Sequence, residues 1–137
     1  MKGGSVADSR RENRGLTLRL RAGQQHFAFP LTSVEAVAGY ARLGAGEWEA
    51  TPAFAGWLAY RGTEIPVYDL GVHLGQGEKT PRVLSSRIMI FSRLHDSNQR
   101  VGLLAAEITD TFEERELDGA PLLQAEPLLR DLLGETA

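Results

Sequence analysis

Short apolar runs separated by turn-forming residues extend through most of the chain, and this feature constrains its fold more than any other. From Leu16 to Arg21 apolar and polar residues alternate strictly, which is the period of a strand with one buried face. The stretch "RAGQ" then turns the chain, and "QHFAFP" returns as a second strand that ends at Pro30. The pattern therefore predicts an antiparallel β-hairpin at the start of a mainly β domain.

Further strand-like segments follow along the chain. "AGWLAY" and "TEIPVYDL" are apolar runs joined by Arg61 and Gly62, and the apolar run inside "RIMIFSRL" indicates burial on both faces. After the turn sequence "HDSNQ", the stretch "RVGLLAAEITDTFEE" completes another hairpin. "LTSVEAV" is typical of a short corner with one helical turn. Residues 39–52 have the composition of a surface loop. Short strands at regular spacing favour a small barrel or paired barrels, because closure removes exposed strand edges.

The C-terminal tail has a different pattern. Leucine pairs recur through "APLLQAEPLLRDLL", and because proline is tolerated only in the first turn, they predict a short helix over residues 127–133. We expect the apolar edge of "RVGLLAAEITD" to need a cover, supplied by this tail in a monomer or by a second copy in a strand-paired dimer. Residues 1–14 are mostly polar and are predicted to be a flexible tail, which leaves 15–137 as one domain.

Composition restricts the possible function classes. The chain has 137 residues, of which 42% are apolar, and this suits one packed domain. Its net charge of −3 offers no general attraction to nucleic acid or to an anionic membrane. It contains no cysteine, so disulfides and thiolate metal sites are excluded, and the sequence shows neither a signal peptide nor a membrane span. We therefore expect a cytoplasmic protein.

The sequence carries no signature of catalysis or metal binding. His26, His73 and His95 share no ligand spacing, and the common nucleophile, phosphate-loop and zinc-protease motifs are missing. We therefore expect no enzyme activity, no metal and no cofactor. Two alternatives are a small β-barrel that binds nucleic acid and one that holds a small ligand between two barrels. An aromatic content of 7% does not favour nucleic-acid binding. The sequence also shows no polar cluster in an apolar setting, which is the signal expected for a ligand cavity.

The hairpin around Arg61 carries a family resemblance. Its sequence, "GWLAYRGTEIPVYDLGVHLG", places a glycine, an apolar strand, Arg-Gly and an apolar-Pro-Val-x-Asp-Leu strand in an order that resembles the signature of the CheW-like adaptor domain. The segments "LTLRLRAGQQHFAFPLTSVEAV" and "RIMIFSRLHDSNQRVGLLAAEITDTFE" are similar to the opening hairpin and the second half of that family. The resemblance covers residues 15–113.

This resemblance implies two small SH3-like five-stranded barrels that share a core. The second barrel would be incomplete if the leucine-rich tail forms no strand. The resemblance also implies a non-catalytic scaffold that couples chemoreceptors to a CheA-type histidine kinase, in two-component signal transduction for chemotaxis or an alternative chemosensory pathway. The implied partners are the regulatory domain of the kinase and the cytoplasmic tip of a methyl-accepting chemoreceptor.

The implied partner-binding surface centres on Arg61. At a tight turn with Gly62, which is expected to have a positive φ, an arginine presents a planar fork to a carboxylate or to the carbonyls of a helix C-terminus. Alternatively, Arg61 is an edge residue whose stem covers apolar surface. The residues assigned to the surface are Arg61, Gly62, Gly56, Glu35, Val37 and Tyr60. Two neighbouring positions depart from the family pattern, since Ala59 stands where asparagine is usual and Ala36 where glutamate is usual.

Overall fold

Short strands and tight turns alternate over most of the chain. The computed structural model describes residues 15–40, 43–44, 52–76, 79–96, 98–113 and 119–135. The strands within these ranges are β1 (Leu16–Ala22), β2 (Gln25–Pro30), β3 (Ala36–Gly39), β4 (Leu43–Gly44), β5 (Phe54–Tyr60), β6 (Thr63–Asp69), β7 (Arg87–Ser92), β8 (Arg100–Ala105) and β9 (Glu107–Glu113). The helices are a 3-10 helix (Leu31–Ser33), α1 (Leu70–His73) and α2 (Ala125–Leu132). The predicted flexible tail, residues 1–14, lies outside the described ranges.

The strands form two sheets. The smaller sheet has the order β2-β1-β9 and the larger one the order β3-β7-β8-β6-β5-β4. Neighbouring strands are antiparallel except β6 and β8, which run parallel with Val67 opposite Gly102. The mainly β fold and the short C-terminal helix are confirmed. In the described part of the chain the strands are grouped as three and six rather than as five and five.

Strand β7 separates two hydrophobic cores. Met89 and Phe91 belong to the core that the smaller sheet and α2 cover, whereas Ile88 and Ile90 belong to the core on the other face of the larger sheet. All four side chains are fully buried, so the expected burial of this run on both faces is confirmed. Because successive side chains of a strand point to opposite faces, one strand lines both cores.

The exposed edge that was expected along "RVGLLAAEITD" does not form on β8. This strand lies inside the larger sheet, between β7 and β6, and its Leu103 and Leu104 are buried. The prediction was wrong because it treated the stretch as one strand. The chain leaves the larger sheet after Ala105, the N–H of Ala106 donates to the Arg21 carbonyl (3.0 Å), and β9 continues along β1.

The leucine-rich tail folds back onto the same chain, but onto β2. The Ala28 N–H donates to the Pro121 carbonyl (2.9 Å), and the Ala28 carbonyl accepts from the Leu123 N–H (2.7 Å). These two bonds cover part of the outer edge of β2 with backbone. A short parallel bridge thus takes the place of a further strand on this side of the smaller sheet.

Helix α2 then closes the first core. Leu128, Leu129 and Leu132 are buried on the face that packs against the smaller sheet and β7. The helix begins at Ala125, two residues before the predicted start. Pro127 is therefore the third helical residue, where a missing N–H removes no helical hydrogen bond, because the first-turn N–H groups have no partner within the helix.

The corner after β2 contains a strand that the sequence did not reveal. Leu31–Ser33 forms the predicted helical turn, but Ala36–Gly39 is β3 and pairs with β7. Four residues, three of them alanine or glycine, give too little alternation to mark a strand. The loop predicted at 39–52 is interrupted by β4 at Leu43–Gly44, and its residues 41–42 and 45–51 lie outside the described ranges.

Candidate functional site

A two-residue turn fixes the position of Arg61. Tyr60 and Thr63 are paired at the ends of β5 and β6, and only Arg61 and Gly62 connect them. Both have positive φ, 50° for Arg61 and 78° for Gly62, which a type I′ hairpin turn requires. The positive φ expected at Gly62 is confirmed, and a side chain there would meet no atom within 4 Å, so backbone conformation alone calls for glycine. Arg61 adopts the left-handed region at a cost of about 1–2 kcal/mol.

Four polar side chains meet beside this turn. The Tyr60 hydroxyl donates to Glu35 Oε2 (2.9 Å), and Arg100 Nε donates to Glu35 Oε2 (2.8 Å) and Oε1 (3.0 Å). The guanidinium carbons of Arg61 and Arg100 lie 5.4 and 5.6 Å from the centre of the Tyr60 ring, within the range of cation–π attraction. We call Glu35, Tyr60, Arg61 and Arg100, together with Val37, the Arg61 surface.

Three separate segments bring these residues together at one end of the larger sheet. Glu35 lies between the 3-10 helix and β3, where its N–H donates to the Ile90 carbonyl (2.7 Å) near the end of β7. Tyr60 ends β5, and Arg100 begins β8 opposite Ser92. The surface is therefore formed where β5 and β7 end and β3 and β8 begin.

The electrostatics of the cluster leave Arg61 as the available charge. Partial desolvation acts to raise the pKa of Glu35, but hydrogen bonds from Tyr60 and Arg100 outweigh it and lower this pKa below its usual value. The hydrogen bond to Glu35 raises the pKa of Tyr60. Glu35 is thus ionised at neutral pH and already bonded to two donors. Arg61 makes no ion pair with any carboxylate in the described ranges, and the residue is exposed.

Val37 and Gly56 occupy different environments. Val37 lies on the edge strand β3, two residues after Glu35, and is 47% exposed. Gly56, in contrast, is buried, has φ 148°, and a Cβ there would lie 2.5 Å from the Gly44 carbonyl oxygen. The close approach of β4 accounts for this glycine. The structure therefore brings Glu35, Val37, Tyr60, Arg61 and Gly62 to one surface, and places Gly56 beneath β4.

Arg100 is the member of the Arg61 surface that sequence reasoning missed. It is 65 positions away from Glu35 in the sequence, and neither residue type nor spacing links the two. Its one local signal is its place directly after the turn "HDSNQ", where β8 begins.

Asp69, in the Pro-Val-Tyr-Asp-Leu part of the hairpin motif, has a structural role. Its buried carboxylate caps α1 by accepting the N–H of Gly71 (3.1 Å). It also accepts the N–H and the hydroxyl of Thr80, each at 2.6 Å. The motif thus fixes the end of β6 and the returning chain, and with them the hairpin that carries Arg61.

A second arginine cluster attaches the C-terminal helix. The fully buried Arg93 donates through Nη2 to Glu126 (2.7 Å) and to Glu135 (2.7 Å), and the Leu94 N–H donates to Glu126 (3.2 Å). The hydrogen bonds that Arg93 donates to Glu135 and Glu126 raise its pKa, and its guanidinium lowers the pKa of both glutamates. We call Arg93, Glu126 and Glu135 the tail cluster. One sequence signal could have found it, since Arg93 continues the core-facing alternation of Met89 and Phe91.

Within the described residues, no group of histidine and acidic side chains is placed to hold a metal ion. Nor does that part of the chain contain a helix of the length and apolar character needed to cross a membrane.

Comparison with known proteins places the chain in a family. The CheW-like domain matches residues 16–131. Comparison with curated protein sequences returned no significant match. Among solved structures, the scaffolding protein TtCheW from Thermoanaerobacter tengcongensis is similar, with a TM-score of 0.61 and 22% identity over 73% of this chain and 65% of that chain. At this identity the likeness concerns the fold, and this chain spans less than two thirds of that structure. The resemblance inferred from the Arg61 hairpin is confirmed, and the chain belongs to the CheW-like domain family.

Proposed function

We propose that the chain is a non-catalytic cytoplasmic scaffold that couples a methyl-accepting chemoreceptor to a CheA-type histidine kinase in a chemosensory pathway. Membership of the CheW-like family supports a role as a chemotaxis scaffold. The observation that carries the proposal for this chain is Arg61, an exposed cation held on a rigid turn without a carboxylate of its own in the described ranges.

The surroundings of Arg61 suit recognition of an acidic or helix-terminal group. Its neighbour Glu35 is already bonded to Tyr60 and Arg100, so an incoming carboxylate need not break an internal ion pair. The left-handed turn fixes the backbone position from which the Arg61 side chain extends, which reduces the conformational entropy lost on binding. Val37 adds exposed apolar area beside the charges. Val37 and the charged side chains around it thus combine a small apolar centre with a charged rim, which is common in partner-binding surfaces.

Two variants of Arg61 test the proposal. Arg61→Gly removes the side chain but suits the positive φ, so the turn should be kept and slightly stabilised. Arg61→Glu reverses the charge. We expect both to remain folded and to weaken binding to the kinase regulatory domain or to the receptor tip, with a loss of about tenfold for Arg61→Glu. Titration calorimetry with the two purified partners from the same organism measures this.

The outcome also decides between the two interpretations of Arg61. If Arg61 only covers apolar surface with its stem, folded Arg61→Glu will bind both partners as tightly as the unaltered chain. That result would contradict the proposed role of the charge.

A further inference from the structure

A turn at the other end of β7 exposes two apolar side chains. Leu84 is 86% exposed and Val83 is 50% exposed, immediately before the strand begins at Arg87. Single exposed apolar residues are common on protein surfaces, but these two follow each other in one turn, and each leaves half or more of its surface exposed.

The turn is held in place by its own hydrogen bonds. The Ser86 hydroxyl donates to the Pro81 carbonyl (2.6 Å) and accepts the Val83 N–H (3.1 Å), while the Ser86 N–H donates to the Val83 carbonyl (2.9 Å). The Arg87 guanidinium donates to the carbonyls of Leu84 and Ser86. The apolar side chains are therefore presented by an ordered backbone, which lowers the entropic cost of binding a partner.

Two arginines flank the apolar tip in the chain, and a lysine lies near one of them. Arg82 and Arg87 use their guanidinium groups on backbone carbonyls, including that of Ala55 (2.6 Å), and Lys79 lines the same cleft as Arg82. In the described ranges none of the three forms an ion pair with a carboxylate. The tip thus carries local positive charge in a chain whose net charge is −3. We call Lys79, Arg82, Val83, Leu84 and Arg87 the Leu84 surface.

The Leu84 surface and the Arg61 surface lie at opposite ends of the larger sheet. Strand β7 runs from Arg87, next to the first surface, to Ser92, which is opposite Arg100 of the second. A strand of six residues spans about 20 Å. The two surfaces therefore share no residue and are separated by the length of the strand.

We propose that the Leu84 surface is a second protein-docking site, for a partner that presents an apolar cleft rimmed by carboxylates. The proposal rests on the proposed function, because it assigns the two partners of a scaffold to the two ends of one sheet. Complementary charge favours an acidic protein as the occupant. An anionic membrane would match the same tip, but the net negative charge of the chain opposes binding to such a surface.

The variant Leu84→Ser tests the site, with Leu94→Ser as a matched control, because Leu94 is also 86% exposed but follows the other end of β7. We expect Leu84→Ser to weaken binding to one of the two purified partners about tenfold and to leave the other unchanged. Arg61→Glu should weaken binding to the other partner and leave binding to the Leu84-dependent partner unchanged. The charge reversal Arg82→Glu should weaken the same partner as Leu84→Ser, whereas Leu94→Ser should leave that affinity unchanged.

Four results would overturn the assignment. Binding of both partners with no effect of Leu84→Ser would refute the docking site and leave the proposed function standing. Loss of the same partner in Leu84→Ser and Arg61→Glu would place both surfaces in one interface and refute a second site. Leu84-dependent sedimentation with phosphatidylserine–phosphatidylcholine vesicles would assign the tip to a membrane instead. A chain that binds neither partner would refute the proposed function and the docking site together.

Discussion

The tail cluster and the Arg61 surface both pair arginine with glutamate, but the first fixes a helix in place and the second remains accessible to partners. In the tail cluster, Arg93 is fully buried and contacts two carboxylates. On the Arg61 surface, the side chain of Arg100 is 21% exposed and contacts the single carboxylate of Glu35. In each case the partners are far apart in sequence, so both clusters join distant segments of the chain.

The difference in burial determines what each cluster contributes. A buried guanidinium has lost its hydration, and it is tolerated only while its carboxylates remain in place. The Arg100–Glu35 pair stays in contact with solvent, since its side chains are 21% and 23% exposed, and a solvent-accessible pair contributes little net stability. The tail cluster therefore positions the C-terminal helix, whereas the Arg61 surface can make or release contacts without unfolding the chain.

Arg93→Met is the strongest test of this difference. It leaves Glu126 and Glu135 without their cation, and removing one partner of a buried pair costs about 3–5 kcal/mol. Because the side chain of Glu135 is 42% exposed, we expect the lower end of that range. Urea denaturation measures the loss. Arg130→Met, at a side chain 54% exposed, is the control and should cost under about 0.5 kcal/mol. Equal losses in the two variants would contradict a structural role for the tail cluster.

Gly62→Val tests whether the turn between β5 and β6, rather than a buried arginine as in the tail cluster, positions the Arg61 surface. A β-branched residue at φ 78° should destabilise the hairpin by about 1–2 kcal/mol. Gly39→Val is the control, because a side chain there meets open space and the backbone φ is not positive. Thermal unfolding should separate the two variants, and an unchanged melting temperature in Gly62→Val would show that the turn can adopt another conformation.

Acidification should weaken both clusters in the same direction. The folded-state pKa values of Glu126 and Glu35 lie below the ordinary value of 4.5. Their contribution to the free energy of unfolding is therefore complete above about pH 4.5 and is lost as the pH falls through the folded-state pKa values. Urea midpoints between pH 7 and pH 3 should fall less steeply for Arg93→Met than for the unaltered chain. Parallel curves would show that Arg93 does not lower the pKa of Glu126.

Arg100→Met should have a small effect on stability. An exposed pair is worth about 1 kcal/mol or less, so the urea midpoint should hardly change. Binding should change more, because Glu35 would lose its partner and become free to pair with Arg61. We expect weaker affinity for whichever partner Arg61→Glu affects, measured by the same calorimetry. A destabilisation as large as that of Arg93→Met would remove the distinction between the two clusters.

Sequence reasoning found what is encoded locally. Alternation and turn residues located β1, β2 and the β5–β6 hairpin, and an uninterrupted apolar run identified β7 as buried on both faces. The Arg-Gly turn indicated both the positive φ of Gly62 and the display of Arg61.

Contacts between distant segments were beyond such reasoning. Neither the pairing of Arg100 with Glu35 nor that of Arg93 with Glu126 follows from local patterns, because each depends on which distant segments become neighbours. The cover of β2 by the tail was missed for the same reason, since a single bridge at Ala28 has no sequence signature.

Strand β7 has a further consequence for how the chain unfolds. Its side chains contribute alternately to the two cores, so loss of this strand removes packed side chains from both cores at once. Neither sheet can then persist as an independent folding unit, and the described fold should melt in a single cooperative transition. The two surfaces at its ends are consequently present or absent together, which means that a cell cannot retain binding at one end of a partly unfolded chain.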